Sequence, residues 1–139
     1  MNARIKWVEG LQFIGESATN HAIIMDGDVD SGGKNTGMRP TELLLIGLGG
    51  CSGMDVASVL QKKKQQVTDI IINIKGTQAE SYPKKFTDIE IEFVVTGKNI
   101  SEEAVKRAVE LSMDKYYSVK ATLEGSAKIT FSYRIVKTS

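Results

Sequence analysis

The segment after Pro40, TELLLIGLGGCSGMDVASVLQKKKQ, constrains this chain more than any other. It shows no two-residue alternation over about 24 residues, which predicts a long helix in spite of four glycines. Thr41 or the residues just before it would cap the start. Glu42 suits the positive N-terminal end, and Lys62, Lys63 and Lys64 suit the negative C-terminal end. A helix of this length spans roughly 36 Å, comparable with or longer than a small domain is wide. From Leu43 to Leu48 it is apolar on nearly every side, so it must be covered on nearly every side. Gly49 and Gly53 lie one turn apart, as do Gly47 and Gly50, and small residues at that spacing let another backbone approach closely. The sequence holds one other helix, whose wet face belongs in solvent. The expected cover is therefore a second copy of the chain in an intertwined two-fold homodimer. The alternative is a monomer whose second helix packs across the same glycines.

The rest of the chain reads as strands around these helices. Arg4 to Val8, Leu11 to Glu16 and His21 to Met25 carry β-branched and aromatic residues in the style of a small N-terminal β-meander. Asp26 to Gly37, DGDVDSGGKNTG, is turn chemistry and predicts a loop ending at Pro40. Ile70, Ile72 and Ile74 alternate against Ile71, Asn73 and Lys75, and Ile89, Ile91, Phe93 and Val95 against Glu90, Glu92, Val94 and Thr96, which predicts a β-hairpin joined through Ala79 to Lys85. Ser101 reads as an N-cap, with Glu102 and Glu103 in the first turn. Val105, Ala108, Val109, Ser112 and Tyr116 then mark the dry side of an amphipathic second helix. A final strand sets Ala127, Ile129, Phe131, Tyr133 and Ile135 against Lys128, Thr130, Ser132 and Arg134. The expected class is α+β. With 139 residues, no repeat, no low-complexity tract and two prolines, residues 1–139 are expected to form a single domain.

Composition removes several functions. The net charge of +1 provides no field for nucleic acid or an anionic membrane, so neither is expected as a partner. The opening MNARIKWVEG lacks a signal peptide's apolar block and no uncharged apolar run reaches about 18 residues, so a cytoplasmic location is expected. With one cysteine, Cys51, and one histidine, His21, no disulfide framework or cysteine-rich zinc site can form, and neither metal nor cofactor is expected. Gly32, Gly33 and Gly37 lack the Gly-Lys-Ser/Thr ending of a phosphate loop. The helix glycines do not fit GxGxxG and fall inside the helix, so nucleotide binding has no support. The lysine triplet reads as a solvated helix end.

Cys51 is the remaining nucleophile. A lone cysteine in an apolar helix is most often a small buried hydrophobe, but Gly47 and Gly50 beside it leave room for a ligand or a partner backbone. It sits more than two turns inside the helix, beyond most of the stabilisation offered by the N-terminal end, and Asp55 one turn later would oppose a second negative charge. Activation would need a cation, for which Arg39, Arg4, Lys115 and Arg134 are candidates.

The run Gly37-Met-Arg-Pro-Thr-Glu-Leu-Leu-Leu, then Gly-Leu-Gly-Gly-Cys51-Ser-Gly-Met-Asp-Val56, and later Lys115-Tyr-Tyr-Ser-Val119, resembles the OsmC/Ohr family, the osmotically inducible and organic hydroperoxide resistance proteins. The nearest match is the OsmC-like branch without the strict hydroperoxide-resistance signature. The resemblance implies the OsmC-like α+β fold, an intertwined homodimer with sites at its interface, and thiol-dependent reduction of organic hydroperoxides. Cys51 matches the peroxidatic cysteine, which attacks the peroxide as thiolate and becomes sulfenic acid. The resolving cysteine's position holds Tyr117, so resolution within one chain is ruled out. The family's catalytic glutamate directly follows the motif proline. Here that position is Thr41, with Glu42 one residue on and turned about 100° around the helix. The activating arginine has no match between Gly15 and His21. Arg39 is a substitute if its loop folds inward, and His21 a pH-dependent one, although a loop-anchoring arginine and a strand histidine are the commoner roles.

Two functions follow. One is a peroxidase in which Cys51 reduces a small organic hydroperoxide and an external thiol or dithiol regenerates it, in oxidative stress defence. Cys51 of two copies would join directly only with Cα atoms within about 7 Å. The other is a catalytically weak or inactive binding or stress protein with an apolar pocket at the dimer interface.

Overall fold

Local turn chemistry sets the N-terminal strands. In the computed structural model, strand β1 (Ala3–Glu9) turns at Gly10, whose φ is +53°, into β2 (Gln12–Ser17), and β2 continues into β3 (Ala22–Met25). All three pair antiparallel in the order β1-β2-β3, with Arg4 opposite Glu16 and Gly15 opposite Ile23. This is the expected meander. The structure describes the backbone of residues 1–116 and 118–139, and the side chains of these except at 115 and 116.

Helix α1 (Pro40–Lys62) follows the glycine-rich loop, and the chain divides into two compact units, Met1–Leu44 and Leu45–Ser139, at a point inside this helix. Proline at the first helical position costs no hydrogen bond, because the first N–H groups of a helix have no partner within it. Arg39, one of the residues just before Thr41, caps the start: its N–H donates to Glu42 Oε1 at 2.8 Å, and Glu42 N–H donates to the Arg39 carbonyl at 3.0 Å. The helix ends at Lys62, and Lys64 takes a left-handed φ of +54° that turns the chain towards the next strand.

In the second unit β4 (Gln66–Gln78) and β5 (Phe86–Lys98) form the expected hairpin, with Ile70, Ile72 and Ile74 opposite Val95, Phe93 and Ile91. Next come α2 (Glu102–Leu111), a π-helical turn over Ser112–Tyr116, α3 (Ser118–Leu123) and β6 (Lys128–Thr138). Strand β6 lies parallel to β5, so β5 is central in the order β4-β5-β6. Ser101 caps α2 by accepting the Ala104 N–H at 3.2 Å. The buried face of α2, Ala104, Val105, Ala108 and Val109, joins Leu48, Val56 and Leu60 of α1 over Ile89, Ile91, Phe93 and Val95 of the sheet.

Three sequence expectations need correction. The second helix does not continue regularly to Tyr116, since the π-helical turn interrupts it after Leu111. Val94, expected on the wet face of β5, is buried, because its cross-strand neighbours Ile71 and Arg134 cover it. Phe131, expected on the dry face of β6, is 41% exposed because β6 is an edge strand.

The covering of α1 also differs from expectation. A Cβ at Gly49 would lie 2.8 Å from Ile74 Cδ1, and one at Gly53 2.7 Å from Ile72 Cδ1. These two glycines therefore seat the helix on its own sheet and do not admit a second backbone. Gly47 and Gly50 have no neighbour within 4 Å of an added Cβ, and beside them Ile46 and Met54 are 50% and 75% exposed. By length and composition α1 would also suffice to cross a membrane, and its face of Leu48, Gly49, Ser52, Val56 and Leu60 is buried.

Candidate functional site

Each unit contributes one set of candidate residues. In the second, Cys51 is a free thiol, partly buried and packed at the edge of the core cluster. Its place on α1 explains this intermediate burial. Leu48 and Ser52 turn into the core, while Gly50 and Met54 turn to the open side. The missing side chains at Gly47 and Gly50 leave the helix surface beside the sulfur unobstructed within the unit.

One turn past Cys51, Asp55 is partly buried. Residues four apart on a helix are neighbours, so Asp55 stands one turn from Cys51. Burial raises the Asp55 carboxyl above its ordinary range, partly countered by a hydrogen bond from Ser112. Ser112 Oγ donates towards Asp55 Oδ2 at 3.3 Å and lies 3.4 Å from the Ser52 carbonyl. Ser112 is fully buried at the start of the π-helical turn. Ser52, also buried, donates to its own helix at Leu48 and Gly49. The sequence placed Ser112 on a dry helical face, and nothing local in it signals that the hydroxyl meets Asp55.

In the first unit Arg39 and Glu42 are together, but at the helix start. Beyond the cap bond between them, the Arg39 guanidinium donates to Asn35 Oδ1 at 2.8 Å and to the carbonyls of Gly37 at 3.0 Å and Asp26 at 3.5 Å. These bonds anchor a loop. The loop is built on Asp26, 4% exposed, which accepts from Gly27 N–H, Lys34 N–H, Thr36 N–H and the Thr36 hydroxyl. Those bonds, the Thr36 hydroxyl foremost, hold its carboxyl down at about 2. Sequence reasoning overlooked Asp26, although an aspartate opening a Gly/Asn/Ser-rich loop is an Asx-turn signal. Beside it lies an apolar groove of about 530 Å³ lined by Ile5, Leu11, Phe13, Met25 and Pro40, with Arg39 at its margin.

The other candidate cations are engaged elsewhere or undescribed. Arg4 pairs with Glu16 at 3.0 Å, and Arg134 lies 3.9 Å from Glu92, both arginines being exposed and both glutamates half-buried. His21 Nδ1 lies 3.2 Å from Thr19 Oγ1 on an exposed turn. Tyr117, at the position of the resolving cysteine, and the Lys115 side chain lie outside the described residues.

A family model described as OsmC-like protein matches residues 32–132, a span that includes the Asp26 loop's second half, all of α1, the hairpin and α2. This chain belongs to the OsmC-like family. It is 48% identical over 136 residues to Protein YhfA of Escherichia coli K12, a match covering 98% of each chain. A crystal structure of a protein from Aquifex aeolicus VF5 is similar at a TM-score of 0.86 and 33% identity, covering 99% of this chain and 97% of that one. The organic hydroperoxide resistance protein OsmC of Legionella pneumophila has a TM-score of 0.68 at 14% identity, covering 99% and 98%, and so shares the fold.

Proposed function

We propose that this OsmC-like protein reduces small organic hydroperoxides through Cys51 in the cytoplasm and is regenerated by an external thiol or dithiol. The observation that carries the reading is a free, partly exposed thiol beside two glycines that leave its approach open. The Cys51 sulfur attacks the terminal peroxide oxygen. The S–O bond forms, the O–O bond breaks, and the alkoxide takes a proton from water and leaves as alcohol. Cys51, oxidised by two electrons to sulfenic acid, condenses with an external thiol, releasing water. A second external thiol opens that mixed disulfide and restores Cys51. With no other cysteine in the chain, the reductant must come from outside it.

The same proposal includes a homodimer. In the second unit Ile46 and Met54 on α1 are exposed, and in the first Ile5 and Trp7 on β1 are exposed, large apolar side chains that a second copy would cover. In this reading Arg39 and Glu42 serve the loop and the helix start, and any cation that assists Cys51 comes from another part of the assembly.

A second reading, a weak or inactive binding protein, is favoured by the apolar groove beside Asp26. The two are separated by mixing reduced protein with cumene hydroperoxide and an excess of dithiothreitol or dihydrolipoamide. The peroxidase reading expects multiple turnovers, one trapped oxygen on Cys51 by mass spectrometry, and neither in Cys51→Ser. Oxidation of Cys51 no faster than a free thiol overturns it in favour of the binding protein.

A further inference from the structure

A net charge of +1 hides an uneven placement of charge in the second unit. At one end of that unit α1 stops at Lys62, β4 starts at Gln66, β5 stops at Lys98, β6 stops at Thr138 and α2 begins at Glu102. Gln66 stands opposite Lys98, and Gly97 opposite both Val67 and Lys137, so the strand ends share one edge. Lys62, Lys63 and Lys64 close the helix there, Lys98 and Lys137 close the strands, and Lys106 and Arg107 follow on α2. Asp69, Glu102, Glu103 and Glu110 are the carboxylates among them, a surplus of three positive charges.

We propose that the groove between the end of α1 and α2 is a docking site for an extended acidic segment of another protein. The groove, of about 680 Å³, is lined by the cations Lys63, Lys106 and Arg107, with Ser101, Glu103 and Glu110 between them. Gln65 ties its two walls together: its Oε1 accepts the Ser101 N–H at 2.9 Å, and its own N–H donates to the Leu60 carbonyl at 3.0 Å. Lys63, Lys106 and Arg107 are exposed, and among the described residues their side chains make no ion pair or hydrogen bond. Helix ends do not account for this surplus. The C-terminal end of α1 carries about half a negative charge, too little to match three consecutive lysines. Glu102 and Glu103 sit in the first turn of α2, where they suit its positive end, and Glu102 Oε1 also accepts from the Tyr133 hydroxyl at 3.4 Å.

The chemistry of the lining selects the kind of partner. Glu103 and Glu110 would oppose an unbroken row of phosphates, and the lining holds no aromatic side chain on which bases could stack. No large apolar side chain lines the groove to enter a lipid surface. A peptide in which carboxylates alternate with hydrogen-bond donors meets both signs, its carboxylates on the three cations and its donors on Glu103 and Glu110. Cys51 takes no part, so the site stands or falls independently of the peroxidase reading.

The test is fluorescence anisotropy of a labelled peptide of alternating Glu and Ser, titrated with the folded full-length protein. The variants are the triple Lys63→Gln, Lys106→Gln, Arg107→Gln and a control, Lys6→Gln, Lys75→Gln, Lys128→Gln, which removes the same charge from exposed lysines elsewhere. Urea unfolding of each checks that the fold is kept. Binding should weaken between about 0.01 M and 0.15 M salt, as the Debye length falls from about 30 Å to about 8 Å. The groove variant should lose roughly tenfold in affinity, about twofold for each exposed ion pair removed, and the control should stay near wild type. No binding at low salt, binding indifferent to salt, or an equal loss in both variants overturns the proposal. So does tighter binding of a single-stranded DNA of equal charge or of phosphatidylserine vesicles, which would assign the groove to nucleic acid or membrane. Dissociation of a dimer in the groove variant alone, by sedimentation velocity, would assign it to a second copy and overturn it as well.

Discussion

Adding one methyl group to each of two adjacent glycines separates the packed side of α1 from its open side. In an otherwise helical position alanine is favoured over glycine by about 0.9 kcal/mol. At Gly50 an added Cβ meets nothing within 4 Å, so Gly50→Ala should collect this gain in full within a single copy. At Gly49 the same Cβ would stand 2.8 Å from Ile74 Cδ1, well inside an ordinary carbon contact of about 3.5–4.0 Å. Ile74 can yield by rotating its terminal carbon, at about 1 kcal/mol for leaving a preferred rotamer. Gly49→Ala should therefore be close to neutral, and the two variants should differ by about 1 kcal/mol, or about 3 °C in midpoint for a chain of this length. Urea and thermal unfolding at several protein concentrations, with sedimentation velocity on each variant, measure both stability and assembly. Equal stabilisation by the two substitutions would refute the seating of Gly49 on Ile74. If Gly50→Ala instead destabilises and dissociates a dimer, the single-copy reasoning fails and a second copy packs against the open side.

Two further outcomes follow from single residues. Asp26 has a folded-state value of about 2 against an ordinary 3.8, so the stability it contributes is fully present above about pH 4 and is lost as pH falls towards 2. Asp26→Asn should be less stable than wild type at pH 7, with the gap in urea midpoint closing as wild type is acidified through that window; a gap independent of pH would contradict the role of its charge. Ser101→Ala removes the acceptor for the Ala104 N–H and should cost about 1 kcal/mol in urea unfolding, whereas a change under about 0.3 kcal/mol would show the cap to be dispensable.

Much of the site was readable only in part from the chain. Cys51 was identifiable as the single nucleophile, because composition removed every competing metal or disulfide use of it. What surrounds it was harder to read. Arg39 and Glu42 looked like candidates for activating a thiol, yet their donors and acceptors are taken by a loop and a helix cap. Asp55 was visible as a neighbour, but Ser112, which holds it, reaches it from another element.

The sequence alone determined the strands, α1 and the start of α2, because alternation, helical spacing, caps and turns depend on groups only one to four residues apart; it expected one helix after β5 and missed the π-helical turn and α3. The tertiary structure decided which side each element buries. Gly49 and Gly53 face Ile74 and Ile72 while Gly47 and Gly50 stay open, β6 runs parallel beside β5, and Ser112 meets Asp55. No local pattern encodes those choices, since equal glycines on one helix differ only in what the folded chain brings against them.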